Sequence, residues 1–391
     1  MAAHIPFVTG PESIKLATEC YSDSEFYHVQ LEKIGTSRIH NTSMKLWLDP
    51  GICGLDDLDS RLPRQDRPNS WYNFMQAFSG FSQIGQATFW VKPDMVVVQK
   101  FVTELLNRAV QFKPDWLTIP QLPIANDSSR NKINIAFAKA TSHWKRQSSY
   151  CGKLILPLIF THQDQLNGKT ERNPKIKMAG RCYHEAQSDG FWVVDKSLTD
   201  DNGSKTLRNS RFPGIVDLHT ELNEAISSSI RIAGPYWGLN LVLWARGLVD
   251  YPAIGIGNSY QYYLAGCIIS KPSVYLAIPP LRRRAGVARL DQWLDESIRI
   301  IGPSHPAYLE LAKMRRHLDI LNASSRDQVA MFYKHWFNLI DSKPQAGRAI
   351  ALFQDLSTAY ALGKSLPDFD KSEQTAKRPE SVVEPLMLNC L

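Results

Sequence analysis

The sequence predicts an α/β protein, a TIM-like (β/α)8 barrel with a C-terminal helical extension. Three observations carry this. Short apolar runs of strand length alternate with stretches whose apolar residues recur at helical spacing. The stretch from Ile230 to Tyr263 holds a whole strand–helix–strand unit, and parallel strands need such a crossover. Polar residues gather just after the strands, the end at which barrel enzymes keep their chemistry.

In chain order, residues 1 to 43 read as an N-terminal lead-in, with a short helix from Pro11 to Cys20 and a strand from Phe26 to Leu31. The barrel is expected over residues 44 to 290. Its strands are Met44 to Leu48, Asp115 to Ile119, Leu154 to Phe160, Gly190 to Val194, Ile230 to Ala233, Tyr251 to Ile256 and Val274 to Ile278. Helical stripes lie between them: Val98, Phe101, Val102 and Leu105; Lys132 to Gln147; Val216 to Ser227; and Leu239, Val242, Leu243 and Arg246, stopped by Gly247. Leu264 to Ile269 closes a further helix. Between the first two strands lie Trp71, Tyr72, Phe74, Phe78, Phe81, Phe89 and Trp90, either a cover for an active-site mouth or a cluster under a long loop. Residues 291 to 364 read as helical, with a capping-box pattern at Ser325 and Gln328, and residues 365 to 391 as a flexible tail. No internal repeat is visible.

Composition narrows the class. The chain has 391 residues, 43% hydrophobic and 21% charged, enough for a large core and unlike a disordered chain. A net charge of +7 permits a polyanionic partner and suits an ordinary basic enzyme equally well. The cysteines at 20, 53, 151, 182, 267 and 390 form no C-x-x-C pair, so no metal site is expected, and they suit reduced thiols in the cytoplasm. No run is long enough to span a membrane. No G-x-G-x-x-G or Walker pattern follows a strand, so no cofactor is expected.

The candidate chemistry lies at strand ends. Asp49, in Asp49-Pro50-Gly51, is placed for catalysis or is a turn-forming aspartate. Asp195 ends a later strand, and with Asp49 could form the acid pair of a barrel glycosidase. Lys169, Arg172, Lys175, Arg208, Arg282, Arg283 and Arg284 follow strands and are candidate phosphate contacts, or simply a solvated surface. Trp192, Tyr236 and Trp237 could stack an extruded base or pack between helix and sheet.

The order of elements resembles the tRNA-guanine transglycosylase superfamily over roughly residues 44 to 290. Trp47-Leu48-Asp49-Pro50-Gly51 stands where that family has Asp-Ser-Gly-Gly. Gln163 or Gln165, after Leu158-Ile159-Phe160, stands where the family has a base-reading Gln. Trp192-Val193-Val194-Asp195 takes the place of its Gly-Gly strand, and Ala245-Arg246-Gly247-Leu248-Val249-Asp250 matches its run before the nucleophile strand. The chain departs from the family in three places. No acid stands at Tyr251 to Ala253, leaving Asp250 nearest to the nucleophile position. Pro120-Gln121 replaces a base-recognising Asp. The family's zinc ligands are missing. The resemblance implies exchange of guanine in DNA, or less closely tRNA, for a free 7-deazaguanine base, through a covalent glycosyl–Asp intermediate. It puts Asp49 as proton shuttle, Asp250 or in reserve Asp195 as nucleophile, and Gln163, Gln165 and Gln121 at the base, on which Tyr236 could stack. A nucleic-acid-binding subunit that has lost catalysis, paired with a partner protein or as a homodimer, is the alternative.

Overall fold

The computed structural model describes residues 3–58, 62, 69–161, 166–198, 205–228, 230–256, 262, 264–266, 274–369 and 378–391. Eight parallel strands close into a barrel: β1 (Ile5–Val8), β2 (Phe26–Gln30), β3 (Lys45–Asp49), β4 (Trp116–Thr118), β5 (Lys153–Phe160), β6 (Gly190–Asp195), β7 (Ile230–Ala233) and β8 (Tyr251–Gly255), with β8 pairing back onto β1. Helices such as Met95–Val110, Ser128–Gln147, Lys169–Ala186 and Lys205–Ala225 connect them.

The barrel therefore begins and ends earlier than its expected limits of 44 and 290. The lead-in supplies β1 and β2, while β9 (Tyr275–Ile278) lies outside, paired antiparallel with β10 (Arg283–Gly286). An apolar run shows that a strand is buried; it does not show which strand it pairs with. Residues 264–266 are not helical, and the rest of the helix expected from Leu264 lies outside the described residues.

Alternation along the strands decides what fills the barrel, because residues two apart point the same way. Phe26, Trp116 and Tyr251, from β2, β4 and β8, meet in one aromatic storey, with Phe26 stacked on Trp116 at 3.7 Å between centroids. Two residues along, Phe7, His28, Trp47 and Trp192 form the next storey. The Trp47 indole N–H donates to Thr118 at 2.8 Å, and that of Trp192 to the Gly234 carbonyl at 2.7 Å, so both buried donors are used. Above this storey, on the inward side of β3, comes Asp49.

One backbone device recurs at the amino end. Asp115, Asp189 and Asp250 each stand one residue before an even-numbered strand. Each accepts the N–H of the second residue of the preceding strand: Leu46 at 3.0 Å, Leu154 at 2.9 Å and Arg231 at 3.0 Å. Each backbone N–H returns a bond to the carbonyl of that same residue. Before β2 the place is taken by Glu25, and the second residue of β1 is Pro6, which has no N–H to give.

The C-terminal region is helical as expected. Its helix Ser325–Asp341 lies against the barrel wall, where Tyr21 donates to the Ala330 carbonyl at 3.0 Å and Phe337 stacks on Trp244. A second small core, around Leu276, Leu281, Trp293 and Leu311, forms between the β9–β10 hairpin and these helices. The segment expected to be a flexible tail is docked over residues 378–391. Val383 and Leu386 are buried in helix Val383–Leu388, and Arg246 donates to the Asn389 carbonyl at 3.0 Å. Its few apolar residues are spaced to face one way, and this outweighs its polar composition.

Candidate active site at the carboxyl end of the barrel

Asp-Pro-Gly builds the site's first element. Pro50 ends β3, and Gly51 takes a left-handed backbone, φ +71°, that glycine adopts without strain. The Gly51 N–H donates to Asp49 Oδ1 at 2.9 Å. Asp49 is thus a turn-former, and one oxygen serves that turn. Its other oxygen, Oδ2, is buried without a hydrogen-bond partner among the described residues. His28 Nε2 lies 3.7 Å from it and is also buried without a partner among the described residues. A cavity of about 10 Å³, room for about one water molecule, touches Asp49, Cys53, Gln121 and Pro157.

His28 is the residue that sequence reasoning missed. It follows Phe26 by two places on β2, so it points inward, and its ring stacks on Phe7 at 3.8 Å. Burial lowers its pKa and Asp49 opposes that shift, so the imidazole is neutral at pH 7. The signal was the F-x-H alternation in Phe26-Tyr27-His28, legible only once that strand belongs to the barrel.

Residues 262 and 264–266 lie over the Asp49 turn. The Tyr262 hydroxyl is 3.1 Å from Cys53 Sγ, and Asn69 donates to the Gly266 carbonyl at 2.9 Å. Gly54 permits this approach, since a Cβ there would sit 2.4 Å from the Ala265 carbonyl oxygen. Burial, then Cys53 and Asp49, raise the Tyr262 phenol well above its ordinary range, so it stays protonated.

The other two acids are employed elsewhere. Asp195 is fully buried. Its Oδ2 takes Arg211 Nε at 2.6 Å, and its Oδ1 takes the Ser197 N–H at 2.8 Å and hydroxyl at 2.6 Å. Burial raises its pKa against the pull of Arg211 and Ser197. Asp250 lies at the opposite end of the barrel, before β8, held by Arg231 Nε at 2.9 Å and Nη2 at 2.7 Å. Both were expected as nucleophile candidates. Asp195 has no oxygen left for a substrate, and Asp250 faces away from the mouth.

Of the expected base-binding residues, Gln121 lines the small cavity, with its amide nitrogen donating to the Asn134 carbonyl at 3.0 Å. Tyr236 is buried, and its hydroxyl oxygen accepts the Asp195 N–H at 2.7 Å, which makes it a brace for the end of β6. Gln163 and Gln165 lie outside the described residues.

The expected phosphate contacts do not form one face. Arg282 grips Asp355 through Nε at 2.8 Å and Nη2 at 2.7 Å. Arg283 is buried, donating to the Arg378 and Pro379 carbonyls with its guanidinium over Phe369. Arg284 is buried over Trp237 and Tyr275, and burial lowers its pKa to about 9. Arg172 pairs with Glu221, and the buried Lys175 ammonium donates to the Glu171 carbonyl. The four arginines are joints between elements, while Lys175 bonds within its own helix. The planar guanidinium heads of Arg283 and Arg284 stack on aromatic rings, which helps to offset their burial. Lys169 is exposed, and the Arg208 side chain lies outside the described set.

Among the described residues, no three His, Cys, Asp or Glu side chains gather as a metal site. No described helix is long and apolar enough to cross a membrane. No protein family matches the chain, and no curated protein matches it.

Proposed function

We propose that the protein is a barrel enzyme that handles a purine-like base at its carboxyl-end mouth, exchanging guanine in DNA or tRNA for a 7-deazaguanine. Asp49 is the group that accepts and returns the proton. One observation supports this above the rest: Asp49 is a buried carboxylate at a strand's carboxyl end, with Oδ1 held by its own turn and Oδ2 without a hydrogen-bond partner among the described residues. A carboxylate held in this way is positioned yet still able to take a proton.

The covalent half of the exchange has less behind it. A glycosyl–enzyme intermediate needs a nucleophile at the mouth. Asp250 is at the other end, and Asp195 is enclosed by Arg211 and Ser197. The enclosure of Asp195 also removes the second acid of the glycosidase reading. A second reading gains from this loss: a subunit, with a partner protein or as a homodimer, that binds base or nucleic acid without covalent chemistry.

Incubation with labelled guanine or 7-deazaguanine, and with tRNA or duplex DNA, tests both. Under the first reading the wild-type protein incorporates label, and Asp49→Asn lowers the rate by about 10²- to 10⁴-fold with the fold unchanged. Full activity of Asp49→Asn would remove the assignment. Binding without incorporation would favour the second reading.

A further inference from the structure

Two buried polar atoms face each other across 3.7 Å in the barrel, and neither has a hydrogen-bond partner among the described residues: Asp49 Oδ2 and His28 Nε2. That separation is beyond hydrogen-bond reach. Both atoms carry lone pairs, so an ionised carboxylate beside a bare ring nitrogen would be repulsive. A proton on either one removes the conflict. The surroundings decide where it sits. The ring is stacked on Phe7 and edged by Trp47 and Trp192, a pocket that penalises an imidazolium. Burial therefore favours the neutral ring over the imidazolium.

We propose that His28 is the positioning residue of Asp49: a permanently neutral imidazole, in its Nε2–H tautomer, aimed at Oδ2 of the ionised carboxylate. A proton that Asp49 takes from a substrate then stays on the carboxyl group, because the imidazole behind it cannot accept a second charge. His28 keeps the proton at the mouth, where it can be returned. Among the described residues, the other titratable groups that bear on the pair are Lys33, next to β2, and Cys53 and Tyr262 on the mouth side. The proposal rests on the reading of Asp49 as the proton-handling group.

The test uses the full chain with ¹⁵N-labelled histidine, the His28 signal being assigned with His28→Phe. The expected result is a neutral ring from pH 7 to 5, protonated on Nε2, with the Nε2 signal displaced in Asp49→Asn. A bare Nε2, a ring that titrates near pH 6.5, or a signal identical in Asp49→Asn would overturn the proposal. In the exchange assay, His28→Gln keeps an N–H donor and should stay nearer wild type than His28→Phe. Equal losses in both variants would mean that His28 only packs. Absence of exchange on every nucleic acid would count against the base-exchange reading, while the ring signals would still decide the role of His28.

Discussion

At the amino end of the barrel, Asp115, Asp189 and Asp250 bond to the strand backbone, and Asp189 and Asp250 also bind cationic side chains, Lys153 and Arg231. At the carboxyl end, Asp49 also binds a backbone N–H, but it leaves one oxygen buried and open. The residue type is the same at both ends, and so is the position beside a strand. What differs is the number of acceptor sites left over. Filling those sites makes an aspartate a clamp; leaving one unfilled costs stability, and such local cost is what functional sites carry. Asp195 sharpens the contrast. It stands at the carboxyl end, yet Arg211 and Ser197 make it a clamp as well.

The largest stability effect should come from breaking that exception. Asp195→Ala leaves the Arg211 guanidinium buried without its carboxylate, and removing one partner of a buried pair typically costs about 3–5 kcal/mol. Urea denaturation would read this as a large drop in midpoint at constant slope. A change below about 1 kcal/mol would return Asp195 to the list of groups free for chemistry.

Much of this fold was legible in the sequence. The strand runs and helical stripes predict a barrel, and a barrel is what forms. The first strand was not legible because Ile5-Pro6-Phe7-Val8 is short and carries a proline, which argues against a strand within a sheet. Without β1, Phe26 to Leu31 reads as lead-in, and its histidine goes unnoticed. Asp49 was legible because Asp-Pro-Gly after an apolar run has a physical meaning. The arginines at 282 to 284 misled because a run of charge looks exposed, and the carboxylate and rings that bury it come from Asp355, Phe369 and Trp237, distant in sequence. The acids misled for a related reason. Sequence shows that an aspartate stands by a strand; whether its oxygens are taken depends on Arg211 and Arg231, which no local pattern ties to them.

A smaller effect concerns acid. His219, in helix Lys205–Ala225, is fully buried with neither ring nitrogen partnered among the described residues, and burial, then Arg231, push its pKa down to about 3. The unfolded chain takes up this proton near pH 6.5. Above that pH both states are neutral and His219 has no pH-dependent effect. As the pH falls from 6.5 toward 3 the unfolded state holds more protons, and stability drops by about 1.4 kcal/mol per pH unit from this group. His219→Leu should flatten the fall by about 2 kcal/mol between pH 6.5 and 4.5, read from urea midpoints at the two pH values. Parallel curves for variant and wild type would show that the ring is reached by water or by a partner.

The smallest expected effect tests the comparison most directly. Asp250→Asn keeps an oxygen that can accept the Arg231 backbone N–H, and it removes the charge that pairs with the guanidinium. Both side chains are partly exposed, 25% for Arg231 and 32% for Asp250, so water screens the pair and the cost should be about 1 kcal/mol or less. Asp115→Asn, which also keeps its backbone bond and has no cation at 4 Å or nearer among the described contacts, should cost less still. Neither change should alter base exchange, covalent capture of nucleic acid or the His28 ring signals, because both lie at the end of the barrel away from Asp49. If Asp250→Asn abolished exchange while leaving the urea midpoint within about 1 kcal/mol of wild type, a clamp at the amino end would be acting on the chemistry, and the division between the two ends would fail.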